Sequence, residues 1–136
     1  METIARISVL PLASRDVERV WGGQRLAPGA PQPVGERWLA YDENPVSGGA
    51  FAGRRLAEAL EELGGEFIGS VPFERYGLEL PLLIKFLDTA EWLSVQVHPD
   101  DAYAHAAEAG TGFHGKTEAW YVLEGEGEVV YGLEHP

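Results

Sequence analysis

The sequence predicts a mainly all-β chain, a jelly-roll or β-barrel carrying one or two short helices. Three observations predict it. About six or seven short apolar or alternating runs are bounded by Gly, Pro, Asn and Asp. Antiparallel hairpins dominate the second half of the chain. No strand–helix–strand rhythm of the kind a parallel sheet needs is present.

The elements follow in order. Residues 5–10 read as a short strand ended by Pro11. Residues 12–34 are rich in Gly and Pro and read as irregular loop holding Val20-Trp21-Gly22-Gly23. Residues 35–42 alternate weakly and read as a strand, followed by turn signals at Asn44-Pro45 and Ser47-Gly48-Gly49. Residues 53–63 are the clearest helix. Leu56, Ala59, Leu60 and Leu63 form one apolar stripe, Glu58, Glu61 and Glu62 face solvent, and Gly64-Gly65 stops it.

After Pro72, residues 82–87 and 92–97 read as two strands joined by a turn near Asp88-Thr89. Pro99 breaks the second, and Asp100 caps a short helix over 101–109 with Gly110 as terminator. A glycine-rich loop over 110–115 leads to strands over 117–123 and 128–131, joined by Gly125-Glu126-Gly127.

Length and composition set the bounds. At 136 residues the chain is expected to form a single domain over 1–136. It contains no cysteine, which excludes disulfides, thiolate metal sites and cysteine nucleophiles and fits a cytoplasmic setting. No apolar run approaches a membrane span, and the N-terminus lacks the pattern of a secretion signal. The formal charge of −12 repels nucleic acid and anionic membrane. An anionic substrate would therefore need local cations, and both lysines, Lys85 and Lys116, fall inside the motifs described next.

Three stretches carry the chemistry: Pro-Leu-Leu-Ile-Lys-Phe-Leu-Asp (81–88), Leu-Ser-Val-Gln-Val-His-Pro (93–99) and Gly-Lys-Thr-Glu-Ala-Trp-Tyr (115–121). Side chains alternate along a strand, so Ser94, Gln96 and His98 share one face, as do Lys116, Glu118 and Trp120. If both faces point inward, Gln96 and His98 meet Glu118. An amide oxygen, a neutral imidazole and a carboxylate suit zinc or a similar divalent ion. Together they carry one negative charge, so a bound divalent metal keeps a net positive charge able to polarise a carbonyl. A lysine beside it could steady a phosphate or move a proton. The plainer alternatives are a surface histidine at a strand end, an exposed strand carboxylate, and core tryptophans at Trp21 and Trp38.

These residues resemble a known family, the type I mannose-6-phosphate isomerases, which are cupin-fold zinc enzymes. Ser-Val-Gln-Val-His-Pro followed by Gly-Lys-Thr-Glu is the most specific part of the likeness. Trp21-Gly22-Gly23 with Arg25 and Gly35-Glu36-Arg37-Trp38 extend it, and Tyr121 to Glu128 resembles a cupin hairpin. The resemblance implies that Gln96, His98 and Glu118 are three of four zinc ligands. It implies that Ser94 (near the phosphate), Lys85 and Trp21 line the substrate pocket, and that Lys116 contacts substrate and acts in catalysis.

The implied reaction interconverts mannose 6-phosphate and fructose 6-phosphate through a cis-enediolate that the metal and Lys116 stabilise. The base is open between Lys116, a metal-bound water and a residue outside this chain. Family members are at least about twice as long, and their fourth zinc ligand and a catalytic arginine lie beyond the matched region. Of the other histidines, His105 reads as solvated on the short helix and His135 lies at the extreme C-terminus; none is assigned as the fourth ligand, and His114, two residues before Lys116, comes nearest to one. Unpaired strand edges lead to the expectation of a homo-oligomer, in the first place a dimer. The alternative to the enzyme is a non-catalytic cupin module or subunit that binds a metal or a sugar phosphate.

Overall fold

A computed structural model describes residues 9–107, 110, 112 and 114–132. The strand expected over 5–10 has residues 5–8 outside the described set, as are residues 108–109 of the expected helix and His135. The chain divides into two compact units, Met1–Leu93 and Ser94–Pro136.

The first unit holds a three-stranded antiparallel sheet in the order β1 (Arg15–Gly23), β2 (Val34–Ala40), β3 (Ile84–Leu87). Strand β1 falls where Gly and Pro content predicted loop. Its ladder to β2 is irregular, since Glu18 and Gly23 both face Val34. Such bulging breaks the two-residue alternation that a sequence reading depends on. Cross-strand ion pairs reinforce the ladder, with Arg37 donating to Asp16 at 2.6 and 2.7 Å.

The two strands approach unusually closely at Gly22. A β-carbon there would lie 2.6 Å from the Gly35 nitrogen and 2.8 Å from its Cα. Only a residue without a side chain lets the backbones meet. Gly35 in turn lies under the Trp21 ring, whose Cζ3 would be 2.7 Å from a β-carbon. The Trp-Gly-Gly and Gly-Glu-x-Trp segments are thus two halves of one packing contact.

Helix α1 (Leu56–Leu63) buries the predicted stripe: Leu56, Ala59 and Leu60 are buried. Ala59 joins Val46 and Phe51 in the core, with Leu10, Leu12 and Leu63 packed against them. Burying one such leucine contributes roughly 2 kcal/mol. Glu58 accepts the Arg55 backbone N–H at 3.2 Å and its Nε at 3.0 Å, closing the first turn. Gly64 ends the helix with φ 77°, the left-handed stop expected there.

Two helices form where the sequence predicts none, α2 (Gly65–Ile68) and α3 (Ser70–Tyr76). Pro72 reads as a break, but it lies in the first turn of α3, where a proline removes no helical hydrogen bond. With the short 3-10 turn at Gly49–Phe51, these elements correct the mainly all-β expectation. Among the described residues a small antiparallel sheet is accompanied by several helices.

In the second unit, helix α4 (Asp101–Ala107) is the one regular element among the described residues. Asp100 caps it, accepting the Tyr103 N–H at 2.8 Å. The expected strands over 92–97, 117–123 and 128–131 form no ladder among the described residues. Pairing needs a neighbouring strand, and the described residues supply none to these segments. Val95, Val97, Tyr121, Val122, Val130 and Tyr131 are accordingly exposed.

Candidate metal and substrate site

The predicted site residues fall in both units. In the first, Lys85 lies on β3 and Trp21 on β1. Lys85 stands opposite Trp38 in the ladder, and its Nζ reaches Glu36 Oε2 at 3.4 Å. The Trp21 carbonyl accepts the Ala90 N–H at 2.9 Å, and its half-buried ring covers Gly35. Trp38 is tied by its indole N–H to Glu36 at 2.6 Å and meets Tyr41 edge-on.

In the second unit, same-face alternation survives without a ladder. Gln96 Nε2 donates to Ser94 Oγ at 3.2 Å. Lys116 Nζ lies 3.1 Å from Glu118 Oε2, and the Trp120 indole N–H donates to Glu118 Oε1. These are contacts between residues two apart, as an extended backbone gives.

The longer contact is the informative one. His98 Nε2 and Glu118 Oε2 lie 2.8 Å apart across twenty residues. Backbone bonds bring them together: Lys116 N–H donates to the Pro99 carbonyl at 3.0 Å, and Gly115 N–H to Asp101 Oδ1 at 2.8 Å. A β-carbon on Gly115 would lie 2.5 Å from the Asp100 carbonyl carbon and 2.6 Å from the Asp101 nitrogen. The glycine opening the Gly-Lys-Thr-Glu motif is therefore what lets Glu118 reach His98. Gly115→Ala is expected to part His98 from Glu118 and so to lower the affinity for any zinc they hold by about tenfold. Titration with a competing chelator checks this.

Burial pushes the Glu118 carboxyl up, but hydrogen bonds from Trp120, His98 and Lys116 outweigh it and bring it from 4.5 down to about 2. Because the folded value is the lower one, the stability it contributes is present above about 4.5 and lost as pH falls through about 2. The carboxyl carbon resonance of Glu118 is expected to titrate near that lower value. Titration near 4.5 would mean that the three donors do not converge on it.

Zinc is the group that the donor set invites. Among the described residues no three His, Cys, Asp or Glu side chains gather as a metal site. A site here must then join His98 and Glu118 to a donor of another kind. Gln96, two residues before His98, carries one. The imidazole nitrogen and carboxylate oxygen lie 2.8 Å apart, a hydrogen-bond separation, and would open to about 3.3 Å to share one tetrahedral zinc ion. The residues fit the metal. His114 pairs instead with His105, Nδ1 to Nε2 at 3.3 Å. The sequence signal for Glu36, which lies beside Lys85, is a carboxylate alternating with Trp38 in a half-apolar strand.

Comparison with known proteins decides the family. The family model for the catalytic domain of type I phosphomannose isomerases matches residues 10–134. The chain belongs to this family. A mannose-6-phosphate isomerase of Streptococcus mutans is 39% identical over 137 aligned residues, taking in 90% of this chain and 40% of that relative. Mannose-6-phosphate isomerase ManA of Bacillus subtilis is 39% identical over 125 residues, with 85% and 38% covered. The crystal structure of the mannose 6-phosphate isomerase from Bacillus subtilis superposes with a TM-score of 0.64 at 32% identity, over 78% of this chain and 34% of that one. The chain thus spans about two fifths of the length of these phosphomannose isomerase relatives. No helix among the described residues is long and apolar enough to cross a membrane.

Proposed function

We propose that this chain carries the zinc-binding part of a mannose-6-phosphate isomerase, and that it takes part in the interconversion of mannose 6-phosphate and fructose 6-phosphate. The observation that carries the reading is Glu118, a carboxylate kept ionised with His98 and Lys116 on the same oxygen. Gln96, His98 and Glu118 would hold the metal, with one ligand position left for another donor. Bound zinc supplies positive charge that stabilises the oxygens of an opened sugar.

The rest belongs to the chain's own groups. Lys116 lies beside the carboxylate, where an ammonium can steady the cis-enediolate or carry the proton moved between C2 and C1. Ser94, already bonded to Gln96, offers a hydroxyl to the phosphate end. Lys85 and Trp21, on the sheet of the first unit, offer a cation and an aromatic ring for substrate binding. The exposed apolar runs Tyr121–Leu123 and Val129–Tyr131 favour pairing with a second copy as strands.

The test is turnover of mannose 6-phosphate by protein purified without metal-affinity resin, before and after zinc is added. Zinc-dependent formation of fructose 6-phosphate supports the enzyme. Stoichiometric zinc with no turnover would leave a metal-binding module.

A further inference from the structure

Glu36 lies on the central strand of the sheet and is 6% exposed. A carboxylate so placed is costly unless donors surround it. Donors reach it from all three strands. Arg19 of β1 gives its Nε to Oε1 at 3.2 Å, Trp38 of β2 its Nε1 to Oε2 at 2.6 Å, and Lys85 of β3 places Nζ 3.4 Å from Oε2. Lys85 faces Trp38 in the ladder, while Glu36 faces Leu87. The ammonium therefore leans diagonally across the strand to reach this carboxylate.

We propose that Glu36 is the positioning residue for Lys85: it holds the ammonium at one place over the sheet and, by sharing itself with Arg19, leaves a cation cluster of net charge +1 facing an anionic sugar phosphate. The substrate half of this rests on the function proposed above. A carboxylate serving only as a cross-strand tie needs no particular lysine. Here one of the two lysines in a chain of net charge −12 is drawn to it. Burial pushes the Glu36 carboxyl up, but the Trp38 hydrogen bond and the Lys85 and Arg19 charges together hold it below its usual range, so the cluster keeps its anion at neutral pH.

Because Lys116 is the other lysine, limited acylation read by peptide mass spectrometry reports each of them separately. In Glu36→Gln, which keeps size and an acceptor for Trp38, Lys85 labelling should rise several-fold relative to Lys116. KM for mannose 6-phosphate should rise about tenfold with kcat changed much less, the pattern of lost binding. Glu36→Asp, which keeps the charge but shortens its reach, should restore part of the KM. It also serves as the test variant if the glutamine does not fold. Trp38→Phe should lower thermal stability and leave Lys85 labelling as it was.

Unchanged Lys85 labelling in a folded Glu36 variant overturns the positioning role, as does an equal rise at both lysines. A zinc-loaded wild-type chain that neither turns over mannose 6-phosphate nor has Lys85 shielded by it overturns the substrate half. Labelling still reads the positioning half independently in that case.

Discussion

Glu118→Ala is expected to strip zinc from the protein and to lower any isomerase turnover by about a thousandfold or more, as removal of a metal ligand and its charge does. Glu118 is the single anionic member of the proposed ligand set with Gln96 and His98. It is also the acceptor that gathers His98, Lys116 and Trp120. Its loss removes the negative charge that attracts a divalent ion and releases the imidazole and ammonium it orients. Zinc per chain, measured by elemental analysis after dialysis, should fall from near one to near none. Glu118→Gln keeps the shape and one acceptor oxygen and is expected to lose metal almost as fully, which would assign the effect to charge. Retention of stoichiometric zinc by Glu118→Ala would sink the proposed ligand set.

Asn44→Ala is expected to cost about 3 kcal/mol of stability, the largest structural effect foreseen for a single side chain here. Asn44 is fully buried. Its amide donates to the Ala13 and Trp38 carbonyls, both at 2.9 Å, tying the segment before β1 to the end of β2. Its own backbone bonds Tyr41 and Leu56, so the same residue anchors the start of α1. Removing the side chain takes its amide donors from two carbonyls and leaves a small void in its place. The melting temperature should fall by about 10 °C, given the scaling of Tm with stability in domains of this size. Denaturant titration measures the cost directly, and a loss below about 1 kcal/mol would show that those carbonyls find other donors. Zinc content, proposed for the Ser94–Pro136 unit, serves as the internal control.

Legibility in the sequence followed the range of the interaction. Helix α1 was readable because its stripe, its Gly64 stop and its Glu58 pairing all lie within a few residues of one another. The Asp100 cap and strand β2 were readable for the same reason. Strand β1 was not, since its bulged ladder to β2 hides the alternation. Helix α3 was not, because a proline in a first turn looks in sequence like a proline that ends an element. The strands expected after residue 92 have the right alternation, but a ladder is a property of two segments, and the described residues offer no second one.

The candidate site divides the same way. Alternation alone put Ser94 with Gln96 and Lys116 with Glu118 and Trp120, and the contacts between residues two apart bear that out. The likeness to type I phosphomannose isomerases was also written in contiguous motifs, and the family match over residues 10–134 upholds it. What only the tertiary structure decided is which distant groups meet. Gly115 against Asp100 and Asp101 brings His98 to Glu118, and a buried Glu36 draws Lys85 and Arg19 from neighbouring strands. The physical reason is that backbone geometry fixes directions over two or three residues. Convergence across twenty or more depends on close backbone packing and on a buried charge finding donors, and neither is a local property of the chain.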